Sequence, residues 1–258
     1  MLPIRDIRFT LWGWIGLSLL MHVLTRLLLW RFRHPRPGRL ALWVERLRDS
    51  PYTSWIASFS RAAYFLVLPY VLLLRGITNA RWMGLVGLDW PRSLGMGVPL
   101  AAAVVVMLVG GIGYHQRVTH HSAHFPRAEI VARQGGWGGL WPVVVYREVH
   151  WAFYRSGTLA LGWGHYAGVF GALVPILLEQ MLDPFVRRDV SHPTQSLSTL
   201  LTIVLALLST VWFYLTANLW MAISLHWAVE FVVLRFVHAQ SPPLVPTGRP
   251  AMHTHLES

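Results

Sequence analysis

Two side chains near the end of the sequence are spaced to act on one metal ion or one proton. His226 and Glu230 lie four residues apart in an apolar stretch, so a helix places them one above the other on the same face. Imidazole and carboxylate groups both bind zinc or iron, and a carboxylate beside a polarised water is the usual general base of metal-assisted hydrolysis. The pair therefore indicates either two metal ligands or a His–Glu hydrogen bond that neutralises both groups in a helix bundle.

A second group of ionisable residues lies upstream, between Val145 and Arg155. Glu148 and Arg155 are seven residues apart, so they share a helix face and can meet a common partner. His150 lies about 200° around the helix from Glu148, so the two reach one ion only if the ion sits to the side of the helix. A buried Glu–Arg pair that fixes helix register is the structural alternative to a catalytic role.

Other ionisable side chains carry weaker signals. Glu179, in the sequence Leu177-Leu-Glu-Gln-Met181, is either a third carboxylate of the same site or an interfacial residue. A histidine cluster follows the third apolar stretch, but it lacks the repeated boxes that membrane diiron oxidases need. It comprises His115, His120, His121 and His124. We expect this cluster to lie in a loop at the membrane surface.

The composition indicates a membrane protein. Of 258 residues, 54% are hydrophobic and only 13% are charged, whereas soluble domains are about a quarter charged. All 22 basic residues are arginine, and the formal net charge is +11. Because the arginines lie between apolar stretches, we expect the charge to set topology and to attract lipid headgroups, and we expect no nucleic-acid partner. The absence of cysteine excludes disulfides and thiolate chemistry.

The fold class predicted from these stretches is an all-α, polytopic transmembrane helix bundle. A crossing helix needs roughly 20 mostly apolar residues, which gives about seven spans, with six to eight as the range. The predicted spans are residues 8–30, 54–75, 94–114, 138–162, 166–183, 197–217 and 219–238. We expect residues 1–240 to form one domain, with a tight hairpin at residues 216–218 and a disordered, proline-rich tail from 241 to 258.

The distribution of arginine predicts the orientation of the bundle. The N-terminus is expected outside and the C-terminus in the cytoplasm, in a plasma or inner membrane, because cytoplasmic loops are rich in arginine. The cytoplasmic set is Arg31, Arg33, Arg36, Arg39, Arg46, Arg48, Arg117, Arg127, Arg133, Arg187, Arg188, Arg235 and Arg249. The opposite set is smaller and comprises Arg5, Arg8, Arg75, Arg81 and Arg92.

Residues 140–238 resemble part of a known family. The stretch from Thr216 to Glu230, with a short polar turn, Leu219-Trp220 and His226-x-x-x-Glu230, is similar to the last motif of the CAAX-processing and bacteriocin-processing (CPBP) intramembrane proteases. That motif carries His-x-x-x-Asn or a similar pair. Upstream, in the region of Glu148 to Arg155, the family has Glu-Glu-x-x-x-Arg, with the arginine closer to the glutamates than the seven residues that separate Glu148 from Arg155. Here His150 and Trp151 occupy the positions of the paired glutamates, and the Phe-x-x-x-His motif between the two is missing.

The resemblance implies that glutamate and histidine side chains activate a water for peptide-bond cleavage inside the membrane. One divalent metal would take part, and zinc is the metal we expect. Glu148 would then act as the base and Arg155 would orient a carboxylate. His226 and Glu230, with His150 and Glu179 as further ligands, would hold the metal.

The sequence leaves three hypotheses open. The first is a rewired, active peptidase that cleaves a membrane protein. The second is a non-catalytic relative, used as a structural or assembly subunit of a larger membrane complex that holds pigments or quinones. The third, a transporter or proton channel, has less support because the sequence has no pair of broken helices. An active peptidase requires Glu148, His226 and Glu230 around a water-accessible cavity, whereas a structural subunit requires them paired and dry.

Overall fold

The structure is a computed structural model that describes residues 4–33, 59–119, 125, 127–128 and 137–240. Every regular element in these ranges is helical, as the long apolar stretches predict. The helices are α1 (Ile4–Arg33), α2 (Phe59–Leu74), α3 (Trp90–Thr119), α4 (Leu140–Leu159), α5 (His165–Gly171), α6 (Leu173–Leu182), α7 (Pro184–Val190), α8 (Pro193–Thr216) and α9 (Leu219–Gln240). A single 3₁₀ turn, Trp137–Gly139, leads into α4. The predicted tail and most of the histidine cluster lie outside the described residues.

Five helical segments are long and apolar enough to cross a membrane, which is the pattern of a membrane protein. They are Thr10–Phe32, Trp90–Val118, His165–Leu182, Gln195–Thr216 and Leu219–Gln240. Two of the seven predicted spans are not among these five segments. Helix Phe59–Leu74 is shorter, and α4 carries Arg147, Glu148 and Arg155 within its 20 residues. The count of seven and the orientation of the termini therefore stay predictions.

The predicted hairpin between the last two spans is present. Helix α8 ends at Thr216 and α9 begins at Leu219, and Ala217 between them adopts a left-handed conformation with φ of 45°. Asn218 begins the new helix, because its Oδ1 accepts from the Met221 N–H at 3.1 Å. The Leu219 N–H donates to the Gly84 carbonyl at 2.9 Å, so the turn is held against the loop between α2 and α3.

Gly84 is needed at that contact. Its φ is +72°, and a Cβ placed there would lie 2.9 Å from both the Ala217 carbonyl oxygen and the Leu219 nitrogen. Only glycine combines a left-handed conformation with so close an approach of two backbones. The hairpin is thereby fixed at one end of the bundle.

Two helices in the bundle are irregular where they approach α4. Residues Ala63–Val67 of α2 form a π-helical turn, and the fifth predicted span is divided at Ala172 into α5 and α6. Helix α7 follows at once, with Asp183 at its N-cap accepting from the Phe185 N–H at 2.9 Å. The π turn brings Tyr64 to the polar residues of α4, and π turns are frequent at functional sites.

Helix α4 is the centre of the bundle. It packs against α1, α2, α5, α6 and α9, and its segment from His150 to Thr158 is buried throughout. One apolar core lies mainly among α3, α8 and α9, and another lies mainly among α1, α2 and α4. Helices α1 and α3 lie at the periphery, and few of their residues are buried. A polar group on α4 is therefore placed in one of two environments, depending on the face that carries it.

Candidate functional site

Glu148 of α4 has partners at both carboxylate oxygens. His226 Nδ1 of α9 lies 2.6 Å from Oε1. At Oε2, the Ser209 hydroxyl of α8 donates at 2.6 Å and the Arg155 guanidinium donates at 3.2 Å. Arg155 also donates to Ser209 Oγ at 3.1 Å, which closes a triangle. All four side chains belong to residues with no exposed surface.

The other edge of His226 faces a second carboxylate. Its Nε2 lies 3.5 Å from Glu230 Oε2 and 3.3 Å from Arg147 NH1. Since an ionised Glu148 only accepts hydrogen bonds, His226 Nδ1 donates to it, while Nε2 faces both the Arg147 guanidinium and the Glu230 carboxylate.

Arginines enclose the Glu230 end of the site. Arg127 donates to Glu230 Oε1 at 2.6 Å and to Thr202 Oγ1 at 2.9 Å. Arg147 NH1 lies 3.6 Å from Glu230 Oε2. The side chains of Arg127 and Arg147 are 25% and 15% exposed, whereas that of Glu230 is fully buried. We call these connected residues the glutamate–arginine network; its members are Arg127, Arg147, Glu148, Arg155, Ser209, His226 and Glu230.

Aromatic rings pack on His226 and Arg155 of this network. The Trp151 ring stacks on His226 at a centroid distance of 5.5 Å and an angle of 22°. Arg155 lies over the Phe213 ring at 4.5 Å. Such contacts stabilise a cation in the absence of water. They also fill the space beside the imidazole.

A second cluster lies on the opposite face of α4, around Glu179 of α6. Its Oε1 is 2.9 Å from His22 Nδ1, 3.3 Å from the Tyr64 hydroxyl and 3.4 Å from His150 Nε2. Tyr64 is also 3.3 Å from His150 Nε2, and its hydroxyl is 2.9 Å from Ser18 Oγ. We call Ser18, His22, Tyr64, His150 and Glu179 the Glu179 cluster.

The six residues predicted from sequence are thus divided between two places. Glu148, Arg155, His226 and Glu230 belong to the glutamate–arginine network, and His150 and Glu179 belong to the Glu179 cluster. The predicted separation of His150 from Glu148 around the helix is the cause of this division.

The geometry of the donors does not fit a shared metal. His226 presents its two nitrogens to two carboxylates on opposite edges, so these groups do not converge on one point. In the Glu179 cluster, His22, Tyr64 and His150 all approach Glu179 Oε1, so the side chains meet at a carboxylate oxygen and not at a common point for a metal. Within the ranges the structure describes, no group of three or more His, Asp or Glu side chains is arranged to hold a metal.

Several residues of the two clusters were not predicted as part of a site. Ser18, Tyr64 and Ser209 are ordinary hydrogen-bonding residues in apolar stretches, and no spacing singles them out. Arg127 was assigned to a cytoplasmic loop, yet its guanidinium contacts Glu230 at the middle of α9. His22 carried one signal, since an ionisable residue within a predicted span is by default a candidate.

A comparison of the chain with protein-family models, with curated proteins and with solved structures finds no match. The resemblance to the CPBP proteases therefore depends on the quoted residues alone.

Proposed function

We propose that this chain is a divergent, non-catalytic relative of the CPBP-type bundle and serves as a structural or assembly subunit of a larger membrane complex. The observation that carries the proposal is the state of Glu148. Both of its oxygens are occupied by protein groups, and neither it nor His226 has any exposed surface. A general base needs a free lone pair directed at a water.

The residue at one of the family's paired-glutamate positions supports the same proposal. Trp151 stands where the family has a glutamate, and its ring covers the face of His226. An indole cannot activate water, and its bulk fills space that a substrate or a water would need. Glu230, at the position of the family's polar partner, is bound by Arg127.

The outer surface offers room for partners. Large apolar side chains of α1 and α3 are exposed, among them Leu28 at 57% and Met107 at 74%. Such faces contact lipid or the helices of neighbouring subunits in a bilayer.

A second candidate, the rewired peptidase, is favoured by one observation. Glu148 and His226 are 2.6 Å apart, which is the distance of a base and the group that orients it. Opening of the network to water would free Glu148. The same experiment separates the two candidates.

The experiment is metal loading of protein purified in mild detergent. The wild type and His226→Ala are incubated with zinc or cobalt, desalted and analysed by mass spectrometry for metal per chain, and native gels of membrane extracts report the size of the assembly. We expect far less than one metal per chain in both proteins and a wild-type assembly larger than the monomer. Near-stoichiometric metal that is lost in His226→Ala, or a wild-type chain that is monomeric in its membrane, contradicts the proposal.

The isosteric variant Glu148→Gln serves as the matched control. It removes the charge of the base while keeping the shape of the side chain. The variant also leaves Arg155 without its charged partner, so the comparison is made on the folded fraction. For a structural subunit we expect folded Glu148→Gln to enter the same assembly as the wild type.

A further inference from the structure

Two polar contacts, which we call the inner rung and the outer rung, connect α1 to the end of α6. His22 and Arg26 are one helical turn apart on α1, and Glu179 and Asp183 are one turn apart at the end of α6. The inner rung joins His22 Nδ1 to Glu179 Oε1 at 2.9 Å. The outer rung joins Arg26 to Asp183 Oδ2 at 2.6 Å. The carboxylates are matched, since each side chain is 3% exposed.

The basic side chains of the two rungs, Arg26 and His22, differ in one respect. Arginine keeps its charge at every accessible pH, so the outer rung is always an ion pair. Histidine is charged only after it binds a proton. Within the described residues none of the groups in contact with Glu179 is an arginine, because these groups are His22, Tyr64 and His150. A buried carboxylate beside neutral partners alone is costly.

The surroundings of Glu179 offer a limited set of further titratable or charged groups. Tyr64 comes from α2 and Tyr154 from α4, where its ring lies 4.5 Å from the ring of His150. Arg26 is engaged by Asp183. The phenols supply hydrogen bonds and no positive charge, so the two imidazoles are the groups that can balance the carboxylate.

Tyr64 connects the two imidazole environments. Its hydroxyl has one hydrogen and several acceptors in reach: the Ser18 carbonyl at 3.0 Å, Glu179 Oε1 at 3.3 Å and His150 Nε2 at 3.3 Å. A proton on either imidazole can therefore be accommodated by rotation of this hydroxyl. His22 lies at the edge of the cluster with 12% of its side chain exposed, next to the more exposed Arg26 at 39%.

We propose that the Glu179 cluster is a proton-binding site, in which one proton shared by Glu179 with His22 and His150 takes the place that arginine has in the outer rung. The ligand is a proton. The inner contact between α1 and α6 is an ion pair when this proton is bound and a weaker neutral contact when it is lost. This site is separate from the glutamate–arginine network and does not depend on the function proposed for it.

The test is nitrogen NMR of protein that carries ¹⁵N-labelled histidine in lipid nanodiscs. At about pH 8 an ordinary imidazole, which loses its proton near pH 6.5, is neutral. We expect the wild type to retain an imidazolium signal that belongs to His22 or His150. We expect Glu179→Gln to lose it and the outer-rung control Arg26→Gln to keep it.

A second variant covers the case in which Glu179→Gln does not fold. His22→Arg supplies the permanent charge that the outer rung already has, so the imidazolium signal should disappear while the contact between α1 and α6 is kept. The proposal is overturned if the wild type shows no imidazolium at this pH. It is also overturned if the signal persists in Glu179→Gln or, where that variant does not fold, in His22→Arg.

Discussion

The two polar clusters on opposite faces of α4 bury their carboxylates by different means. In the glutamate–arginine network, Glu148 and Glu230 face three arginines, and His226 stands between the two carboxylates. In the Glu179 cluster, one carboxylate faces two imidazoles and a phenol. One cluster is balanced by permanent charges, whereas the described partners of Glu179 carry a positive charge only when an imidazole binds a proton.

This difference shows how one helix serves two roles. Hydrogen bonds of Ser209 connect the Glu148–Arg155 ion pair of α4 to α8, and the Arg147–Glu230 ion pair connects α4 to α9. Such permanent charges suit a structural role. A cluster that depends on a proton can change its strength, which suits a response to conditions. The variants below separate these roles, because each removes one type of balance.

The largest effect is expected for Arg155→Met. Removal of one partner from a fully buried ion pair leaves Glu148 uncompensated, which costs about 3–5 kcal/mol. Unfolding in detergent by denaturant measures the change in free energy. The double variant Arg155→Met with Glu148→Gln removes the unpaired charge and should recover part of the loss. If the free energy of unfolding of Arg155→Met alone lies within about 1 kcal/mol of the wild-type value, the network does not depend on its permanent charges and the comparison fails.

A smaller loss is expected for Ser209→Ala. The substitution removes a donor to Glu148 and an acceptor for Arg155, both buried, at a cost of about 1–3 kcal/mol. Thr210→Val is the matched control, because Thr210 is equally buried and its hydroxyl bonds to the Ala206 carbonyl of its own helix at 2.8 Å. The control should lose about 1 kcal/mol or less. Equal losses in the same unfolding assay would mean that Ser209 is merely another helix hydroxyl.

Tyr64→Phe tests the other cluster. Loss of the hydroxyl removes the contacts with Ser18 and Glu179, and we expect a destabilisation of about 1–2 kcal/mol. On the same helix Tyr70 is 59% exposed, so Tyr70→Phe should change stability by less than about 0.5 kcal/mol. Thermal unfolding of both variants in nanodiscs gives the comparison. If the two behave alike, the π turn of α2 does not serve the cluster.

Little of the polar geometry was readable from the sequence, although the fold class was. Long apolar stretches predict helices, and the polar residues 216–218 predict the final hairpin, because these signals are local. The face shared by Glu148 and Arg155 is also local, and the structure brings the two side chains together. Arg127, Ser209 and Tyr64 reach their partners from other elements, so their roles depend on tertiary packing that no spacing along the chain encodes.

The smallest effect is expected for Asp189→Asn, next to the outer rung. Burial, followed by the charge of Asp183, raises the pKa of Asp189 above its usual value. A raised pKa in the folded state means that ionisation opposes folding, so stability is full below about pH 4 and falls as pH rises through the folded-state value. The variant should be more stable than the wild type by at most a few tenths of a kcal/mol above about pH 5, because solvent screens this partly exposed group.

Thermal unfolding of Asp189→Asn and the wild type at two pH values checks this effect. The two proteins should coincide at about pH 3.5, where the wild-type carboxyl is protonated. A variant less stable than the wild type at neutral pH would show that the charge of Asp189 supports the outer rung.

The most direct test of the central claim is chemical accessibility of His226. Diethyl pyrocarbonate modifies imidazoles that solvent reaches, and mass spectrometry of peptides from treated membranes reports each histidine. His165 and His192 are exposed and serve as internal controls, whereas His226 has no exposed surface. We predict modification of both controls and none of His226 until the protein is unfolded. Modification of His226 at the rate of the controls would contradict a dry, paired network and favour the peptidase.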